Sequence, residues 1–168
     1  MDTTQPRPAT LTAHYRETMR QFPTAVTVLT TAGPDGPHGM TASSLTSVSL
    51  DPPTLLISLQ RGSRTRDLLE LDAHFTINLL AETQADIAMR FARKPGHGAF
   101  AGAAWQISET TGAAVLETAT AHIDCRVSER VEAADHTLVL AEVMAAATHA
   151  GRAGPLVHYN HDFRGVTC

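Results

Sequence analysis

The stretch His38-Gly39-Met40-Thr41-Ala42-Ser43-Ser44-Leu45-Thr46-Ser47-Val48-Ser49-Leu50-Asp51-Pro52-Pro53 constrains this chain more than any other. It alternates like a strand, carries hydroxyls at Thr41, Ser43, Thr46, Ser47 and Ser49, and stops at two consecutive prolines, which offer no amide to a sheet ladder. In a regular strand Thr41, Ser43, Ser47 and Ser49 share one face, and Ala42, Ser44, Thr46 and Val48 the other. Hydroxyls on both faces are unusual for a sheet with one apolar core face. Two readings follow: an ordinary exposed strand, where Ser and Thr are tolerated, or a wall of donors facing a ligand.

The rest of the chain reads as short strands with few helices. Leu11, Tyr15, Met19 and Phe22 fall on one helical face, so the spacing predicts a helix that packs by that face, behind a disordered leader at residues 1–10. After Pro23 comes a β-branched strand to Thr31 and a turn at Gly33-Pro34-Asp35-Gly36. Further strands are predicted at Thr54–Gln60, His74–Leu80, Ala119–Val131, His136–Ala147 and Pro155–Tyr159. Ser63 caps a short helix, and Glu82–Arg93 forms a longer one stopped by Pro95-Gly96. Residues 96–118 read as a long excursion whose Phe100 and Trp105 need burial, and Met19, Phe91 and Trp105 are assigned to the core. Short turns between neighbouring strands predict antiparallel pairing, so a mainly β, antiparallel β-barrel, closed or split, is expected over residues 11–168.

Composition excludes several classes of function. With 13 Lys plus Arg against 17 Asp plus Glu among 168 residues, no basic field exists for nucleic acid. No apolar run approaches the ~20 residues needed to span a bilayer, so a cytoplasmic location without membrane contact is expected. Cys125 and Cys168 lie in no metal or redox spacing, and His158 and His161 near the end are read as surface histidines, so no metal is expected. Neither Gly-x-Ser-x-Gly nor His-Glu-x-x-His is present, and no Gly-x-Gly-x-x-Gly follows a strand. Ser63-Arg64-Thr65 either caps a helix or forms an anion site. Asp135 and His136 should point to opposite faces of a strand and so need not pair.

Three motifs carry a resemblance: Phe22-Pro23-Thr24-Ala25-Val26-Thr27-Val28-Leu29-Thr30-Thr31, Pro37 to Pro53, and Asp135-His136-Thr137. Together they resemble the flavin reductase-like family with an FMN-binding split barrel. Met89-Arg90-Phe91-Ala92-Arg93-Lys94 and the hairpin around Cys125 and Leu140–Val143 are similar to members found in antibiotic-biosynthesis clusters. The resemblance implies a homodimer that passes a hydride from NADH, in preference to NADPH, to FMN or FAD, and supplies the reduced flavin to a partner monooxygenase. It implies that Met40, Thr41, Ala42, Ser43 and Ser44 line the isoalloxazine. Ser58, Gln60, Ser63 and Arg64 would lie toward the ribityl chain and phosphate, and His136 near the nicotinamide or the dinucleotide phosphates. No catalytic acid or base is implied, because hydride transfer depends on ring positioning. Ala25 departs from the family's Thr-Gly-Val pattern, and a methyl there would loosen any close approach of flavin to that backbone. A non-catalytic or electron-carrying flavin protein of the same fold is the alternative, and a barrel binding another anionic or aromatic ligand is a third.

Overall fold

The computed structural model describes residues 8–149, 151 and 153–166; most of the expected leader, residues 1–7, and Cys168 lie outside them. Among the described residues twelve strands follow in chain order: β1 (Thr24–Ala25), β2 (Thr27–Gly33), β3 (Gly36–Ala42), β4 (Thr46–Leu50), β5 (Pro53–Gln60), β6 (His74–Leu79), β7 (Trp105–Ile107), β8 (Ala114–Leu116), β9 (Ala121–Ala133), β10 (His136–Thr148), β11 (Leu156–Tyr159) and β12 (Asp162–Gly165). Three α-helices accompany them: α1 (Pro8–Met19), α2 (Arg64–Leu68) and α3 (Ala85–Arg93). α1 therefore begins inside the expected leader.

Seven strands form one antiparallel sheet in the order β3-β2-β6-β9-β10-β5-β4. Its two edge strands, β3 and β4, are consecutive in sequence and joined only by Ser43–Leu45. Six inter-strand spacings in a flat sheet would separate those edges by about 29 Å, whereas this connection reaches no more than about 14 Å. The sheet must therefore curl until its edges meet at that corner. This is the expected split barrel, with the hydroxyl-rich stretch forming its seam.

The strands alternate as a curled sheet requires. On β5, Leu55, Ile57 and Leu59 are buried and the residues between them are half-buried. With Leu29, Phe75, Ile77, Cys125, Val127 and Val139 they fill the barrel. β2 is buried on both faces: Leu29 points into the barrel, while Val28, with Val26 just before the strand, joins a second core with Phe91, Phe100, Leu116 and Leu156.

The excursion at 96–118 is more ordered than its sequence suggests. It holds a 3-10 turn at His97–Phe100 and the β7–β8 hairpin. Phe100 is buried, edge-on to Phe91 at 4.9 Å and to the half-buried Trp105 at 5.5 Å. Buried polar groups dock the hairpin: Asp124 accepts from Thr76 and Ser108, each at 2.6 Å, and the Asn78 side-chain oxygen accepts the Leu116 amide at 2.7 Å. The polar tail likewise forms a strand, β12, paired with β11.

One expectation about packing is corrected. Leu11, Tyr15, Met19 and Phe22 are 58%, 63%, 42% and 61% exposed, so the described residues leave the apolar face of α1 uncovered and Met19 is not core. Periodicity defines an apolar face without saying what covers it.

Candidate functional site

At the barrel's seam, β3 meets α3 by close backbone approach. A Cβ at Gly39 would lie 2.6 Å from the Phe91 ring, so only glycine lets α3 pack down on β3. The Gly39 carbonyl accepts the Gly96 amide at 2.9 Å, and Gly96 holds a φ of 116°, which favours glycine. α3, the turn that ends it and β3 thus form one wall. Opposite lies the start of α2, where Ser63 caps the helix by accepting the Arg66 amide at 3.3 Å. Of the two readings of Ser63, the cap is present, and it occupies the amide of Arg66.

Between these walls is a cavity of about 190 Å³ lined by His38, Met40, Thr41, Ser63, Arg64, Thr65, Phe91, Ala92 and Pro95. Four of the residues singled out in the sequence, Met40, Thr41, Ser63 and Arg64, therefore meet around one space. Its lining is amphipathic, with a guanidinium and hydroxyls on the α2 side and apolar groups on the α3 side. Arg64 is 58% exposed and pairs with Asp35 at 2.7 Å, across the turn between β2 and β3.

His38, missed by the sequence reading, is buried within the cavity wall, its Nε2 2.8 Å from the Thr65 hydroxyl. Burial, and secondarily the Arg64 charge, hold its pKa below the ordinary imidazole value. Its neighbour Gly39 and the Gly33 turn mark a place of close backbone approach, the one sequence signal pointing there. Phe91 doubles as core and cavity wall.

The other expected residues fall into two adjoining groups. At the corner, Ala42 is core, Ser43 is exposed, and the Ser44 hydroxyl donates to the Ser58 carbonyl at 2.8 Å while accepting the Ser58 amide. The Thr41 hydroxyl donates to the Ala88 carbonyl of α3 at 2.5 Å. A hydroxyl has a single O–H, so the donors of Thr41 and Ser44 are spent on the fold. The strand is also not regular, because it breaks at Ser43–Leu45. Both points correct the picture of a continuous wall of hydroxyl donors.

The second group lies at the tip of the β9–β10 hairpin, where His136 pairs across the ladder with Gln60, whose carbonyl accepts the Ser63 amide at 3.2 Å. Here Asp135 and His136 do pair, Oδ1 to Nδ1, at 2.9 Å. Asp135 sits in the turn after Ala134, whose φ is 52°, so strand alternation does not apply to it. That contact, above all, holds the Asp135 carboxyl below its usual range. Behind them Glu132 accepts from Thr137, Arg66 and Arg61 at 2.8 to 3.0 Å, and these bonds, led by Thr137, lower its pKa. Ala25 pairs with Val157 in the small β1-β11-β12 sheet and does not line the cavity.

Among the described residues no group of three or more His, Cys, Asp or Glu side chains is placed to hold a metal. Nor is any described helix long and apolar enough to cross a membrane. Burial pushes the Cys125 thiol up to about 12, so it is unreactive as a nucleophile.

Comparison with known proteins agrees with this geometry. The chain is 40% identical over 131 residues to the stachydrine N-demethylase reductase subunit Stc3 of Rhizobium meliloti, a match covering 77% of this chain but 56% of that protein. It is 32% identical over 154 residues to the FMN reductase (NADH) RutF of Stutzerimonas stutzeri, covering 91% of this chain and 87% of the relative. Among solved structures, the NADH:FAD oxidoreductase SgcE6 of Streptomyces globisporus superposes with a TM-score of 0.87 at 32% identity, over 100% of this chain and 99% of that one. SgcE6 has also been solved in complex with NAD and FAD fragments. Residues 19–167 match the flavin reductase like domain, and the chain belongs to that family.

Proposed function

We propose that this protein is an NADH:flavin oxidoreductase that reduces FMN or FAD as a diffusible substrate and supplies reduced flavin to a partner monooxygenase. The observation that carries the reading is the seam cavity, which joins an arginine and two hydroxyls to an apolar wall. That donor set fits an amphipathic ligand with an anionic end. At about 190 Å³ the cavity is smaller than the ~300–1,000 Å³ of sites that enclose a whole ligand. It therefore takes the ribityl-phosphate end, and the isoalloxazine lies along the corner at Thr41–Ser44.

The flavin ring supplies the chemistry by accepting a hydride from NADH. The chain's own task is positioning. Arg64 and Ser63 hold the anionic end, and Met40 and Phe91 exclude water beside it. With the hydroxyls of Thr41 and Ser44 committed, backbone amides at the Ser43–Leu45 break and the exposed Ser43 hydroxyl meet the ring edge, where negative charge grows on reduction. Ser58 fixes the corner through Ser44, and Gln60 and His136 form the rim at which the dinucleotide docks.

The protein works in the cytoplasm as a homodimer, a reading supported by the uncovered apolar face of α1. Antibiotic or other secondary metabolism is the setting in which we place the partner oxygenase. The test is oxidation of NADH and NADPH with FMN, FAD and riboflavin in turn. Turnover with NADH and added flavin is expected. A yellow protein that keeps its flavin through gel filtration and oxidises no NADH would make it a carrier instead.

A further inference from the structure

His38 has no part in the reading above, although it is buried at the cavity wall beside the arginine. Thr65 is buried with it, and the two side chains meet at 2.8 Å. Gly33 lies against the His38 Cβ, and Gly96 faces its Nδ1. The charged and titratable groups around it are few. Arg64 and Asp35 pair with each other on one side, and His97 packs on Gly36 two residues back along β3. Phe91, Ala92 and Pro95 complete the cavity without charge.

We propose that His38 is a positioning residue that makes seating of the flavin's anionic end a proton-linked event, with Thr65 as the group that switches. This rests on the assignment of the seam cavity to that end of the flavin. A hydroxyl has one O–H and two lone pairs. While Nε2 of His38 is unprotonated, the Thr65 O–H donates to it. When an anion meets Arg64, the positive field on the imidazole is offset and a proton from solvent is taken up at Nε2. Nε2–H then donates to Thr65, whose own O–H is released to donate to the anion. One proton enters, one hydrogen bond reverses, and the ligand gains a donor that the free protein keeps occupied.

In the free protein burial and Arg64 both favour the neutral imidazole, so proton uptake belongs to the bound state. Binding of a phosphate-bearing flavin should then tighten as pH falls. The ligand phosphate titrates in the same range, and comparing wild type with His38→Gln removes that common contribution.

The experiment measures FMN and riboflavin binding to wild type and His38→Gln at pH 6 and pH 8, with the His38 ring nitrogens followed by NMR in wild type. FMN should gain about threefold in affinity at the lower pH relative to the variant, with riboflavin showing no such gain. The His38 titration midpoint should rise with FMN and stay with riboflavin, a readout that needs no variant to fold. An FMN pH dependence shared by wild type and variant, or a midpoint that FMN leaves unmoved, overturns the proposal. Failure of wild type to bind either flavin overturns the cavity assignment itself, and the proposal with it.

Discussion

The seam cavity and the α1 face are both amphipathic in sequence, yet the fold treats them oppositely. At the seam nearly every polar side chain is already spoken for: Thr41 holds Ala88, Ser44 holds Ser58, Ser63 caps α2, and His38 meets Thr65. On α1 the apolar residues Leu11, Tyr15 and Phe22 stand more than half exposed. The seam cavity is thus held rigid by committed side chains, while the apolar face of α1 is left uncommitted.

The sharpest way to break the comparison is at Gly39. Valine there must displace the Phe91 ring, and overpacking of this kind costs about 1–3 kcal/mol. The unfolding free energy from urea titration should fall by that amount, and flavin-dependent NADH oxidation should fall with it because the wall of the cavity moves. Unchanged stability and activity would show that α3 does not define the seam.

Thr137→Val tests the rim. Thr137 is buried, donates to Glu132 at 2.9 Å and accepts from Arg66 at 3.1 Å. Losing these bonds should cost about 1 kcal/mol in chemical denaturation, with the NADH KM raised more than the flavin KM. Equal changes in both constants would mean that the hairpin tip does not serve the dinucleotide.

The α1 face should respond differently. Leu11→Ser with Tyr15→Ser should change the stability of the isolated subunit by no more than about 0.5 kcal/mol, while sedimentation shows the dimer lost. A large fall in subunit stability would mean that this chain covers the face after all. The pH dependence can also be given a sign. The His38 pKa is lowered in the folded protein, so the unfolded chain binds more protons. Its contribution is therefore neutral well above the ordinary imidazole pKa of 6.5 and becomes destabilising as pH falls through it. Urea midpoints should drop from pH 7.5 to pH 5 less steeply in His38→Gln than in wild type.

Much of this was legible in residues. β-branched runs and the Gly-Pro-Asp-Gly and Pro-Pro signals located the barrel strands, because strand alternation and turn chemistry are local. Ser63 read as a cap for the same reason. The cavity was half legible: Thr41, Arg64 and His38 all lay in stretches singled out, but His38 gained a place at the site only through contact with Thr65, 27 positions away. The fate of a hydroxyl is equally non-local, since Thr41 and Ala88 are 47 positions apart. The β7–β8 hairpin escaped notice because Asn78, Thr76 and Asp124, not an apolar pattern of its own, hold it down. α1 misled because a helical stripe carries no information about its partner.

On the proposed reading, the seam cavity receives the anionic end of the flavin through Arg64. The most direct test compares FMN and riboflavin as substrates of wild type and Arg64→Ala under saturating NADH. Arg64 is more than half exposed and its pair with Asp35 is worth little to the fold, so stability should hold. A lost charge-assisted bond of about 1.5–3 kcal/mol corresponds to a rise in FMN KM of roughly ten- to 150-fold. Riboflavin, which lacks the phosphate, should keep its KM. An FMN KM that does not move, or one that moves in step with riboflavin, would contradict the assignment.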